Sequence, residues 1–411
     1  TTPPTPAFTK ERGKIKDISG PGISDRYGIN ATDLGIPVRM SNGELLFIFG
    51  DSFKGTKVGD GEWRSPAGLI SKTTNLEQGI VWDRAAGPDP QDAKQLLPYA
   101  HNNGTFSTVL PSDVICLPDG TLVMHVMVNQ GLGNVLWTEL HTSKDLGVSW
   151  QHTGIKFGGD WNSGMRQLWT MAYDPDDGFV YAMSTGFQRN KGLILHRIHW
   201  EQIVSPGTEG KWEPWGYAGG KWAWGNPATV IVPGKFGELY LRRLDKGYWT
   251  LTYFNAESYR IDCMVFDSPI ANLYVAKAEQ KTLVSGGAWG RESDTNVAQL
   301  YCGAPIPGST PDRWHYVVSQ WNTSTGWPYK SMQFVNSIPV PKNYKFVSPE
   351  TPVVNNPDQD QEITPEQPKD TPVEVAPPAA PAPDPSQNYS GSGNVMDGIL
   401  KAILRLFGLG K

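Results

Sequence analysis

The segment Ser143-Lys144-Asp145-Leu146-Gly147-Val148-Ser149-Trp150 fits the Asp-box pattern S-x-D-x-G-x-x-W. Its chemistry is local. The carboxylate satisfies backbone donors of a tight turn, the glycine takes the positive φ that other residues resist, and the tryptophan packs beneath the hairpin. Such a box stabilises a hairpin of a propeller blade and is architectural rather than catalytic. On either side of it, from residue 15 to 341, short strand-like runs alternate with turn signals, the pattern of an all-β sandwich, barrel or propeller. Candidate strands are 44–49, 121–128, 179–184, 193–199, 238–244, 248–254, 272–278 and 315–320, with turns such as NGE (42–44), PDG (118–120) and DPDDG (174–178) between them. This stretch exceeds the length of a typical sandwich, so length and Asp-box together predict a β-propeller, whose blades are four-stranded sheets around an axis.

Composition agrees. The chain has 411 residues, of which only 19% are charged, with 45 Gly, 34 Pro, 16 Trp, 15 Tyr and 14 Phe. Glycine and proline break helices and aromatic residues favour pleated strands, which disfavours a coiled coil, a bundle or a helical repeat array. The net charge of −5 argues against a nucleic-acid partner, which a basic patch would mark. No apolar run reaches the ~18 residues that a membrane-spanning helix needs. A soluble, β-rich protein is expected.

The predicted organisation is an N-terminal extension (1–14), a propeller (15–341), a linker (342–394) and a C-terminal helix (395–411). The linker, dominated by Pro, Ala, Asp, Glu, Gln and Ser, has too little apolar surface to offset ordering entropy and reads as disordered and acidic. In VMDGILKAILRLFGLGK (395–411), apolar Ile399, Leu400, Ile403, Leu404, Leu406 and Phe407 share helical spacing with Lys401 and Arg405. This short amphipathic helix is expected to dock on a membrane surface or a protein, or to fold back on its own domain. Thr1, with no Met and no apolar leader, reads as the start of a processed chain. Cys116, Cys263 and Cys302 read as buried small apolar residues, with a Cys263–Cys302 bridge the alternative in an exported protein.

Ligands of a propeller gather where the innermost strands converge, so acids on early strands come first. Asp33 stands in NATDLG (30–35), and Asp51 ends the apolar run of FIFGDSF (47–53). A carboxylate there is costly unless it is paired, hydrogen-bonded or used. If the two segments are neighbouring strands, the carboxylates come within the ~5–6 Å typical of retaining glycosidases. The plainer reading is that each aspartate caps a turn. Asp113 in LPSD (110–113) and Glu238 in GELYLR (237–242) are further acids. Strand alternation puts Glu238, Tyr240 and Arg242 on one face, as a held general acid or as a simple ion pair. Trp222, Trp224 and Asn226 sit in a Trp-rich, Gly-rich stretch that is either core or a sugar-stacking platform. Trp169 and Trp321 complete the candidate substrate-binding residues. His196 and His199, three apart in a strand, point to opposite faces, which argues against a metal pair. Nucleophile-elbow, zincin, P-loop and dinucleotide motifs are missing, so carboxylate chemistry remains.

The motifs TDLG (32–35), FGDSF (49–53), LPSD (110–113), SKDLGVSW (143–150), TGFQRNKGLILHR (185–197), FGELYLRR (236–243) and SQWN (319–322) occur in an order that resembles the DUF4185 family. Members of that family are classed as endo-D-arabinofuranosidases of glycoside hydrolase family 183, acting on the D-arabinan of arabinogalactan and lipoarabinomannan in mycobacterial-type envelopes. The resemblance implies a five-bladed propeller, a polysaccharide substrate and no cofactor beyond a tolerated structural calcium ion. It also implies a secreted, envelope-associated or virion-tail location. Among matching acids it implies Asp33 and Asp51 as the catalytic pair, supported by Glu238 and Asp113. A non-catalytic glycan-binding propeller is the alternative, and a sialidase-like hydrolase a weaker one, for want of an evident arginine cluster.

Overall fold

The computed structural model describes residues 10–271 and 279–344. The runs with the most continuous apolar character become strands buried on both faces. Leu45–Phe53, LLFIFGDSF, has one half-buried residue, Asp51, and is otherwise buried. Five sheets follow one another along the chain as the blades of a five-bladed β-propeller. Blade 1 runs outward from Ala31–Arg39 through Leu45–Phe53 and Ala67–Ser71 to Arg84–Ala85, and Trp63–Arg64 pairs beside the second strand. Blade 2 comprises Thr108–Cys116, Leu122–Asn129, Val135–Ser143 and Gln151–Gly158. Blade 3 comprises Leu168–Tyr173, Phe179–Thr185, Ile194–His199, Glu213–Ala218 and Lys221–Trp224. Blade 4 comprises Phe236–Asp245, Tyr248–Asn255, Arg260–Phe266 and Glu279–Gly287, with Asn296–Ala298 added in parallel. Blade 5 comprises Leu300–Pro305, Trp314–Trp321 and Tyr329–Asn336, and its outermost strand is Gly13–Asp17 from the other end of the chain. That strand begins inside the stretch read as an extension. The linker beyond Tyr344, the C-terminal helix and the 272–278 strand lie outside the described residues.

The Asp-box is the turn between the third and fourth strands of blade 2. Asp145 Oδ1 accepts from Ser143 Oγ (2.8 Å) and from the Ser149 N–H (2.9 Å), Gly147 has φ +84°, and Trp150 is buried. Cys263 and Cys302 are buried and Cys116 half-buried; all three are free, so the alternative of a bridge is not realised.

Asp113 ties three inner strands together. From blade 2 it accepts from Thr170 Oγ1 (2.7 Å) and the Met171 N–H (2.9 Å) of blade 3, and it meets Arg242 of blade 4 in a two-pronged pair (2.8 and 2.9 Å). With Asp113 fully buried, Asp113→Ala leaves a guanidinium and three further donors, from Val114, Thr170 and Met171, without their acceptor. Breaking a buried pair from one side costs about 3–5 kcal/mol. Urea unfolding should show this loss as a lower midpoint with unchanged slope.

Candidate active site

Each inner strand begins at one end of the axis, and there the five strands enclose a cavity of about 300 Å³. Asp33 and Leu34 come from blade 1, Ser112 from blade 2, Leu168 from blade 3, Glu238 and Tyr240 from blade 4, and Leu300 and Tyr301 from blade 5. Second strands add Asp51 and Trp321, the third strand of blade 5 adds Tyr329, and the 186–191 loop adds Phe187, Gln188 and Arg189.

The two aspartates meet at a β-bulge. Thr32 pairs with Ser52 and Leu34 with Phe49, so Asp33 stands alone opposite Gly50 and Asp51. Bulges re-aim side chains, and here the bulge brings both carboxyls to the cavity. Leu34 follows with φ +59°, and Cys302, next to Tyr301, has φ +78°, conformations that L-residues hold only where the surroundings impose them. A Cβ on Gly50 would lie 2.3 Å from Asp33 Oδ1. Gly50→Ala must therefore displace the Asp33 carboxyl. A displacement of that size costs turnover ~10²-fold, and kcat with unchanged circular dichroism is the measurement that checks it.

The surroundings of the two acids differ. Asp33 Oδ2 accepts from the Tyr301 hydroxyl (2.8 Å), while its Oδ1 is buried and faces no donor. Burial, then the neighbouring Asp51 charge, raise its pKa to about 7, against the Tyr301 hydrogen bond and the nearby Tyr329 hydroxyl. Asp51 Oδ1 accepts from Trp63 Nε1 and Thr108 Oγ1, each at 2.7 Å. Burial raises its pKa to about 6, opposed by Thr108, Trp63 and Ser65. Asp33 is therefore the more readily protonated of the two and Asp51 the more readily charged. Across the cavity Glu238 Oε1 accepts from Arg189 Nη2 at 2.5 Å. The Arg189 guanidinium lies over Phe254 (5.1 Å) and Tyr301 (5.4 Å), and glycine at 237 leaves room for its stem.

Among the described residues, Glu139, His141 and His152 bring candidate ligand atoms within 4.8 Å of one another. Glu139 already accepts from Trp137 Nε1 (2.6 Å) and Tyr99 and pairs with Lys156 (3.4 Å). His152 Nδ1 accepts the Gly154 N–H (2.7 Å), which puts the ring proton on Nε2, facing Glu139 at 3.3 Å. The three residues form a hydrogen-bonded cluster, and its imidazoles are not the oxygen set that calcium takes.

A family model described as a domain of unknown function, DUF4185, matches residues 19–335. The chain belongs to the DUF4185 family. It is 30% identical over 325 residues to notoamide biosynthesis cluster protein J of Aspergillus sp. (strain MF297-2), covering 73% of this chain and 82% of the relative. It is 29% identical over 326 residues to an uncharacterised 35.9 kDa protein of Mycolicibacterium smegmatis, covering 75% of this chain and 92% of the relative. Among solved structures, a candidate hydrolase from Bacteroides ovatus shares the fold, with a TM-score of 0.53 and 14% identity over 80% of this chain and 87% of that one.

In this DUF4185 domain, Asp33, Asp51, Glu238, Tyr240 and Trp321 line one cavity. The other expected residues lie elsewhere. Asp113 and Arg242 satisfy one another between inner strands, although Arg242 shares a face with Glu238. Four residues at ~3.3 Å each carry it well down the strand from the cavity. Trp169 is fully buried and stacks on His125 at 4.7 Å. Trp222 and Trp224 sit on the outermost strand of blade 3, where Trp222 stacks on Trp215 (6.1 Å) and Trp224 lies beneath Arg197 (4.2 Å). Asn226 follows that strand and donates to the Gly216 and Lys221 carbonyls (both 3.1 Å). Tyr301, Tyr329, Trp63, Thr108 and Arg189 were not anticipated. Only Arg189 had a signal, inside the TGFQRNKG motif.

Proposed function

We propose that the protein is a glycoside hydrolase that cleaves internal α-D-arabinofuranosidic bonds of a D-arabinan, with Asp33 as general acid and Asp51 as nucleophile. The observation that supports the reading is the bulge that brings two half-buried carboxyls to one cavity, one more readily protonated than the other. Glycoside hydrolysis needs this division of labour. Asp33 would protonate the departing oxygen while Asp51 attacks the anomeric carbon. Water then releases the arabinosyl ester, with Asp33 acting as base. Glu238, held by Arg189, faces the opposite wall and is suited to binding sugar hydroxyls. The arabinan substrate rests on the motif resemblance. The candidate-hydrolase description of the Bacteroides neighbour agrees with hydrolysis but does not bear on the sugar.

Incubation with arabinogalactan should release oligosaccharides rather than free arabinose. Proton NMR of the first product should show the α anomer; a β anomer would instead make Glu238 the acid of an inverting reaction. Intact glycan binding with no new reducing ends would favour the non-catalytic reading. The rate should follow a narrow bell in pH. It falls below about 6 as Asp51 takes a proton and above about 7 as Asp33 loses one. A flat kcat/KM from acid to alkaline pH would remove this assignment.

A further inference from the structure

Every arginine withdrawn from solvent among the described residues meets a carboxylate, except one. Arg64 meets Glu62 and Asp92, Arg84 meets Glu44, Arg189 meets Glu238, and Arg197 meets Glu213. Arg242 meets Asp113, Arg243 meets Asp174, Arg260 meets Asp262, and Arg313 meets Glu77. Arg166 is only 8% exposed, its Nε is sealed from solvent without an acceptor, and no side-chain or backbone acceptor faces its other nitrogens. What it has instead is aromatic: the Trp161 ring lies 3.9 Å from its Cζ and Phe157 5.6 Å. Stacking covers the faces of a guanidinium and leaves its donors in the plane of the edge. A planar cation held this way is complementary to an oxyanion arriving edge-on.

A second group independently lacks a partner at the same place. His196, on the middle strand of blade 3, is 1% exposed and its buried Nε2 has no hydrogen bond. Its ring meets the edge of Trp161 at 5.7 Å, so one indole touches both unpaired groups. Burial, and then Arg166, disfavour charge on the imidazole, which leaves it neutral and able to donate one hydrogen bond. The position is related to the cavity. Gln167, next to Arg166, accepts from the Phe187 N–H (3.0 Å), and Phe187 and Leu168 line the cavity wall. Lys191 reaches the Ser163 carbonyl, adding a further cation to the rim.

We propose that Arg166 and His196, walled by Trp161, form an oxyanion-binding subsite at the junction of blades 2 and 3, beside the cavity. It would take a phosphoryl or carboxyl group, and a glycan lying in the cavity would place a substituent of that kind there. The proposal does not depend on hydrolysis, since binding is read without turnover.

The test uses the full chain and inorganic phosphate. The Arg166 Nε–H resonance, assigned by its loss in Arg166→Lys, is followed by NMR as phosphate is added against sodium chloride of equal ionic strength. Parallel titrations use acetate. A saturable shift with phosphate, absent with chloride and weakened at least ~10-fold in His196→Phe, is expected. Saturation by acetate but not phosphate would assign the site to carboxylates. A linear shift equal to that with chloride, or phosphate affinity unchanged in His196→Phe, would overturn the proposal. If Arg166→Lys does not fold, quenching of Trp161 fluorescence by phosphate in the wild-type chain, compared with Trp161→Phe, gives the same decision.

Discussion

Asp33→Asn should reduce arabinan hydrolysis by ~10²–10⁴-fold, the contribution of a positioned general acid, while making the protein more stable at neutral pH. The two effects have one origin. Burial and the Asp51 charge raise the Asp33 pKa from 3.8 to about 7. A carboxyl whose folded pKa lies above its unfolded one costs stability once the unfolded chain can ionise it. The cost is absent below about 3.8, grows as pH rises to about 7, and is constant beyond. At neutral pH it is on the order of 2–4 kcal/mol. Asparagine removes it and keeps an acceptor for Tyr301. Thermal melts of the two proteins should converge in acid and separate towards neutrality, with the variant higher. The acid role is isolated with an aryl arabinofuranoside, whose phenolate departs without a proton. On that substrate Asp33→Asn should keep most of its first-step rate, and an equal loss on both substrates would refute the assignment.

Asp51 should behave differently. Asparagine there retains an oxygen for Trp63 and Thr108 (both 2.7 Å), so the fold should survive while the charge that attacks the anomeric carbon is gone. The expected loss exceeds the ~10²–10⁴-fold that a positioned acid supplies, and it should persist on the aryl substrate, because a better leaving group cannot replace the attacking group. Asp51→Gly opens space at the same point. Azide should restore turnover in that variant and yield a β-arabinosyl azide, detectable by mass and by its anomeric proton. If azide yields nothing and Asp51→Asn turns over at near wild-type rate, Asp51 is not the nucleophile.

The propeller was legible because its determinants are local. The Asp-box needs only eight residues to declare a hairpin, and LLFIFGD declares a strand buried on both faces. Asp33 and Asp51 were legible for a related reason: both stand at strand positions where an acid is expensive. What joins them, a bulge with one residue opposite two, has no signature beyond Gly50. The tryptophans misled because a Trp-rich hairpin has the same composition whether it lines a ligand site or stacks on itself at the rim of a blade. Arg242 misled because alternation along a strand fixes the face and not the depth. Tyr301 and Tyr329, which tune the acid, lie more than two hundred and fifty residues from it in the chain, and no local pattern links them.

The strand Gly13–Asp17 completes the blade that supplies Tyr301 and Tyr329. The acid that stands on blade 1 therefore obtains its hydroxyl donors only after the ring has closed, when both ends of the domain have met. A chain truncated before the fifth blade would carry Asp33 and Asp51 yet lack Tyr301 and Tyr329, which surround Asp33 in the closed ring. Catalytic competence and ring closure would then arrive together. Appearance of turnover during refolding would be a clock for the last long-range contact made, a slow event by its sequence separation.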